Sequence, residues 1–406
     1  MLRPPHKSVV RSGVMTISSS ASASSLVEIA RSLYPVLAAA SSRIEQERRL
    51  PDDVLAALKD SRLFRLCVPK IYAGLEAPPV DMVEAIAEVA RADGSAGWCV
   101  AIGATSGLLA GYLADADARE IYGADPTSVS GGVFAPRGHA VVEGDAYRMR
   151  GRWPFASGIA HCSWLMGGCV VVEDGKPALL PNGLPDSRLL IFPAAQATVH
   201  DTWSVSGLCG TGSHDMEVTD ILVPRSRAIS LMTDQPRVAS PLYKFPVFGC
   251  LAICIAAVTL GLARRAIDEL VELAGGKTPT GSRKRLADRG LVQVQVAEAE
   301  ASERSARAFL VDTVATTYEE AARDGEIGVK QRALMRLAAC HTVTAAKRAV
   351  DAMYDAGGGT SIYKTSPLQR CFRDVHTASQ HLMVSSSTLE LAGRVLVGVD
   401  ADASQL

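Results

Sequence analysis

The sequence predicts an α+β fold: a helical N-terminal domain, a central β domain and a C-terminal four-helix bundle. Three observations predict it. Apolar residues recur at helical spacing up to about residue 125, alternate with polar ones over 127–230, and return to helical spacing from about 240. The expected divisions are a disordered tail over 1–24, helices over 25–126, strands over 127–235 and the bundle over 236–406. With 48% hydrophobic residues in 406, the chain can bury a large core. Its net charge of −1 gives no general attraction to nucleic acid or to an anionic membrane, so neither is expected as a partner. Nine cysteines, an odd number with no C-x-x-C pair, read as reduced thiols in a cytoplasmic protein.

The first residues carry Arg3, Lys7 and Arg11, no acid, and a serine-rich tract over 18–25. No apolar stretch follows the basic residues, so a secretory signal is not expected. A disordered tail, a start at Met15 and a transit peptide all remain open. In "LPDDVLAALKDSRLFRL" Pro51 and two acids suit a helix N-terminus. "VDMVEAIAEVARADGSAGWCVAIGATSGLLAGYL" gives two further helices, broken at Asp93-Gly94-Ser95 with Ser95 as the expected cap. In "GHAVVEGDAYRMRGRWPF" the alternation on both sides of Glu143-Gly144-Asp145 is that of a hairpin. "CSWLMGGCVVV" and "HDMEVTDILVP" add strands.

The 19 residues Phe245 to Ala263 carry no charge, close to the ~20 that a membrane span needs. A buried helix near a subunit interface is the preferred reading, because an all-apolar helix also suits the centre of a helical assembly. Two long amphipathic helices follow, the second stopped by Gly357-Gly358-Gly359, and "RCFRDVHTASQHLMVSSSTLELAGR" (370–394) should form the last.

That last stretch carries the first candidate chemistry. On one helix Asp374, His381, Ser385 and Thr388 would share a face. Such a row either meets water or lines a pocket. "GRWPFASG" places Trp153, Phe155 and Ser157 at alternate positions, which suits either a flat ring ligand or plain strand packing. The glycine-rich "GLCGTGS" (207–213) is followed by a strand pattern rather than a helix, so it is not a Rossmann phosphate loop. His376 and His381 sit five apart, off a common helical face, and no metal site is expected.

In order along the chain, "RLPDDVLAALKDSRLFRLCVPKIYAG", "ADGSAGW", "GRWPFASG", "DTWSVSGLCGTGSHDMEVTDILVP" and "GGGTSIYKTSPLQRCFRDVHTASQH" resemble the acyl-CoA dehydrogenase fold. More closely they resemble its branch of two-component flavin-dependent monooxygenases, the 4-hydroxyphenylacetate and hydroxylated-steroid hydroxylase type. In acyl-CoA dehydrogenases whose base lies in the last helix, a glutamate follows the Arg-Asp pair by eight residues. Here that position is Leu382, which cannot accept a proton. Its neighbour His381 matches a histidine of the monooxygenase branch.

The resemblance implies an oxygenase component that takes reduced flavin, FMNH2 or FADH2, from a separate NAD(P)H-dependent flavin reductase. With O2 it would oxygenate an apolar, ring-containing small molecule. His381 and Ser157 would be catalytic. The flavin would meet Ser130, Gly131, Trp153, Phe155 and Ser157, and its tail would meet Arg283, Gly357 and Gly358 from a partner subunit of a homotetramer. Trp98, Ser106 and Leu382 would line the substrate pocket. Ser106 stands about where phenol hydroxylases of the branch carry a histidine, and Cys209 where relatives often carry arginine, so a phenolic or charged substrate is not implied. An acyl-thioester dehydrogenase with its base elsewhere is the rival reading. A catalytically silent flavin-fold protein is another.

Overall fold

The computed structural model describes residues 25–400 and Leu406; the expected tail over 1–24 lies outside them. Helices come first: α1 (Leu26–Ser32), α2 (Tyr34–Glu47), α3 (Asp52–Asp60), α4 (Pro79–Ala92), α5 (Gly94–Ser106) and α6 (Asp115–Ala118). Pro51 and the first-turn pair Asp52 and Asp53 start α3. The cap of α5 is Asp93, whose carboxylate accepts from the Ala96 N–H at 2.9 Å; Ser95, the expected cap, lies inside the helix.

Strands follow: β1 (Ser130–Glu143), β2 (Ala146–Trp153), β3 (Trp164–Glu173), β4 (Lys176–Pro177), β5 (Ser187–Pro193), β6 (Thr198–His200), β7 (Asp215–Pro224) and β8 (Ala228–Ile229). They form one sheet in the order β6-β7-β2-β1-β3-β5-β8, with β4 paired to β3. β1 and β2 make the expected hairpin, Glu143 opposite Ala146 across a turn in which Gly144 takes a φ of 57°. β1 bulges between Val133 and Gly138, which accommodates Pro136 within the strand.

The C-terminal helices are α7 (Pro241–Lys244), α8 (Val247–Gly276), α9 (Gly290–Asp324), α10 (Val329–Gly357), α11 (Pro367–Ala378) and α12 (Ser386–Leu396). α8 is their axis. It packs against α4, α5, α9, α10 and α11 of its own chain, and 78% of its most apolar window is buried there. The chain therefore covers its uncharged run by itself. The run is thus the buried helix that the sequence predicts.

The stretch 370–394 is not one helix. α11 ends at Ala378, His381 is extended (φ −68°, ψ 136°), and a short 3-10 turn, Leu382–Val384, precedes α12. The His381 ring accepts the Met383 N–H at 3.2 Å, capping that turn. Arg336 Nη2 from α10 then holds the Met383 carbonyl at 3.1 Å and Thr388 Oγ1 at 3.3 Å. The expected single face of Asp374, His381, Ser385 and Thr388 therefore does not exist. Asp374 turns toward the 207–213 loop, and His381 turns toward α5.

Candidate active site

The site forms where the turn after β2 meets the loop before β7. Two backbone bonds join them: Ala156 N–H to the His214 carbonyl at 3.0 Å, and Gly158 N–H to the Thr211 carbonyl at 2.8 Å. They bring three buried hydroxyls into a row. Thr211 Oγ1 and Ser213 Oγ are 2.7 Å apart, as are Ser213 Oγ and Ser157 Oγ. The Trp98 indole N–H, from α5, donates to Ser157 Oγ at 3.0 Å. Thr211 Oγ1 donates to the Leu208 carbonyl at 2.9 Å.

Two bulky residues beside this row hold left-handed backbone: Phe155 at φ 68° and Leu208 at φ 51°. Such positions cost about 1–3 kcal/mol each and persist where surrounding contacts fix them. Phe155 lies on the outside, 67% exposed, its ring edge-on to Trp203 with centroids 6.1 Å apart.

His381 closes the other side. Its ring meets Trp98 edge to face, centroids 5.7 Å apart. Surrounding protein strips its water, and the Arg336 charge adds to this, lowering its pKa to about 4. The ring is therefore neutral at pH 7. Its Nδ1 accepts the Met383 N–H, so the single proton sits on Nε2.

Asp374 is buried and accepts the Leu208 N–H at 2.6 Å. Burial pushes its carboxyl up to about 7; the Leu208 bond opposes this, and the nearby Asp93 charge reinforces it. Folding thus takes up a proton at Asp374 between the ordinary value of 3.8 and about 7. This stabilisation is fully present below the lower value and is lost as pH rises through the upper one. Asp374→Asn keeps an acceptor for Leu208 but cannot titrate. Lowering pH from 7 to 4 is expected to favour the wild type over the variant by up to ~1.4 kcal/mol per unit. Urea unfolding at each pH checks this; parallel stability curves would contradict it.

Not every expected site residue joins the cluster. Trp153 is fully buried inside the sheet. Its indole donates to the Gly168 carbonyl at 2.7 Å and fills space where a Cβ on Gly138, Gly151 or Gly167 would lie within 2.8 Å of the ring. It therefore faces away from Phe155, and the expected shared aromatic face is absent. Ser130 is buried and receives the Tyr122 hydroxyl at 3.1 Å; the same hydroxyl reaches the Ser106 carbonyl at 3.3 Å. Gly131 abuts Cys162, whose Sγ would lie 2.7 Å from an added Cβ. Leu382 is 65% exposed, so it does not wall an enclosed pocket within the chain. Arg283 is exposed on the α8–α9 connection. Lys277, at the end of α8, donates to the Gly357 carbonyl at 2.6 Å, and Gly358 follows at φ 57°. Among the described residues no hydrogen bond or ring contact links Arg283, Gly357 or Gly358 to Ser157.

Residues 28–118 match the family described as acyl-CoA dehydrogenase, N-terminal domain, and residues 253–386 match acyl-CoA dehydrogenase, C-terminal domain. The indole-3-acetate monooxygenase of Pseudomonas putida is 34% identical over 355 residues, 87% of this chain and 89% of that protein. The chain belongs to the flavin-dependent monooxygenases of this fold. The oxygenase subunit of a flavin-dependent monooxygenase from Mycobacterium tuberculosis is 30% identical over 370 residues, 88% of this chain and 91% of that one. Among solved structures, XiaF from a Streptomyces species in complex with FADH2 and glycerol superposes with a TM-score of 0.85. It is 29% identical over 92% of this chain and 95% of its own. The protein is thus the oxygenase component of a two-component monooxygenase. It uses reduced flavin and O2, and a separate flavin reductase supplies that flavin. The acyl-thioester dehydrogenase reading falls with this assignment.

The oxygenase must seat a flat tricyclic ring with one apolar and one polar edge, and the residues present fit it. Phe155 offers an exposed ring beside the buried hydroxyl of Ser157. Gly132 keeps the start of β1 free of side chain, since a Cβ there would lie 2.1 Å from the Met166 carbonyl oxygen. Sequence reasoning missed Thr211, Ser213 and Tyr122. The Thr-x-Ser spacing inside "GLCGTGS" was the available signal, read there only for its glycines.

Proposed function

We propose that this oxygenase, working as a cytoplasmic homotetramer beside an NAD(P)H-dependent reductase, transfers one oxygen atom of O2 to a small, apolar, aromatic substrate. One observation carries the proposal: Trp98 touches both groups, meeting the His381 ring edge to face at 5.7 Å between centroids and donating its indole N–H to Ser157 Oγ at 3.0 Å. That places an aromatic wall, a neutral imidazole N–H and a buried hydroxyl around one point. Bound reduced flavin supplies the two electrons that activate O2. Ser157 orients the ring edge through its hydroxyl. His381 presents its Nε2 proton to oxygen, where negative charge develops during transfer. Trp98 and Ile102, one turn apart on α5, offer apolar surface to the substrate. Leu382 leaves the family's carboxylate position without a base. The named activities of similar proteins support an aromatic substrate: indole-3-acetate for the Pseudomonas relative and resorcinol for a Rhizobium hydroxylase 28% identical to this chain.

The test supplies isotopically labelled O2, FAD, NADH and a flavin reductase with indole, an uncharged apolar aromatic, and in parallel with indole-3-acetate and resorcinol. Label in a product that requires the oxygenase supports the proposal. Anaerobic bleaching of bound FAD by an acyl-CoA, with no labelled product, would overturn it.

A further inference from the structure

A hydroxyl carries one proton and two lone pairs, so a row of hydroxyls must adopt a direction. Groups that cannot change roles flank the row at both ends, and the Leu208 end sets its direction. The Leu208 carbonyl can only accept, and Thr211 Oγ1 lies 2.9 Å from it. The Trp98 indole can only donate, and Ser157 Oγ lies 3.0 Å from it. With Thr211's proton committed to Leu208, Ser213 donates to Thr211 and Ser157 donates to Ser213. Ser157 then has no proton left to give. After the Trp98 bond it has one lone pair free.

The anchor is itself fixed. Leu208 holds left-handed backbone, its N–H is bound by Asp374 at 2.6 Å, and the Trp203 indole shares its carbonyl at 3.1 Å. The row is also buried, so water does not reset its direction.

We infer that the Thr211–Ser213–Ser157 row selects the redox state of the flavin, with Thr211 and Ser213 as positioning residues that act through Ser157. The inference rests on the proposed reading that Ser157 faces flavin N5. Reduced flavin carries a proton on N5, and oxidised flavin carries a bare acceptor there. Against N5–H, Ser157 accepts and all four bonds of the row survive, making five. Against bare N5, either N5 stays unbonded or the row reverses and Thr211 releases Leu208, leaving four in both cases. Reduced flavin gains one hydrogen bond, about fivefold in affinity. The row thus favours loading by the reductase's product and release of spent flavin.

The count predicts the variants. Without the Ser213 hydroxyl, or without that of Thr211, Ser157 is free to donate to bare N5, and the one-bond difference disappears. Dissociation constants for FAD and for dithionite-reduced FAD, the latter measured anaerobically, give the ratio directly. Ser213→Ala and Thr211→Val are expected to lower the oxidised-to-reduced ratio of dissociation constants about fivefold, mainly by tightening oxidised FAD. Ser213→Thr should keep the wild-type ratio. The two disruptive variants break the row at different points, so either one that folds by circular dichroism decides. An unchanged ratio, or parallel weakening of both redox states, would overturn the inference while leaving the oxygenase reading intact. Failure of the wild type to bind FAD in either state would remove that reading and the inference with it.

Discussion

His381→Ala is expected to lower substrate oxygenation about 10²–10³-fold, while flavin oxidation continues and more hydrogen peroxide is released per flavin consumed. The size follows from the role. The imidazole is neutral at working pH because burial lowers its pKa to about 4, so it acts as a fixed donor rather than as a charged acid. Its Nδ1 is occupied by the Met383 N–H, which leaves Nε2–H as the functional end. Removing one positioned donor from a water-poor site typically costs that much. His381→Gln can place an amide N–H near the same point and should recover part of the loss. Product and peroxide yields under matched flavin supply check this. Equal yields for wild type and alanine variant would make His381 a cap for the 382–384 turn and nothing more.

Arg65→Met is expected to destabilise the fold by about 3–5 kcal/mol, a drop of roughly 10 °C in melting temperature. Arg65 is 2% exposed. Its guanidinium donates to the carbonyls of Tyr72 at 2.7 Å, Tyr122 at 2.6 Å, Ala73 at 3.2 Å, and Ser128 and Asp125 at 3.4 Å. Burial lowers its pKa, yet these carbonyls give it a full set of acceptors. Methionine fills much of the volume but leaves the interior acceptors without donors. Loss should extend to flavin binding, because the Tyr122 hydroxyl holds Ser130 at the start of β1. Thermal melts and flavin titration read the two effects. A melting temperature within a degree or two of wild type would show that water replaces the guanidinium.

Periodicity carried the helices and strands because α4, α9 and β2 each bury one face, while α8 was legible instead as an uncharged run buried on all sides. It failed where side chains end an element by local capping. Nothing in the apolar pattern of 370–394 marks the stop at Ala378 or the short turn after it, which the ring of His381 caps by bonding to its own backbone two residues on. Alternation put Trp153 and Phe155 on one face, but the strand ends at Trp153 and Phe155 takes a left-handed φ, which turns its ring outward. Ser157 and His381 stand out in the residue pattern, and the resemblance supplies their roles. Thr211 and Ser213 were not, because what they do depends on a loop closing against a turn more than fifty positions earlier in the chain.

In the proposed function, this chain controls the reaction of reduced flavin with O2. Rapid mixing of the anaerobic protein–FADH2 complex with O2-saturated buffer, followed by absorbance, tests it most directly. Oxidised flavin is expected to appear only after a delay, clearly later than for free FADH2 in the same buffer, and His381→Ala and Ser157→Ala should each change that delay. Reoxidation at the rate of free FADH2 in the wild type would contradict it.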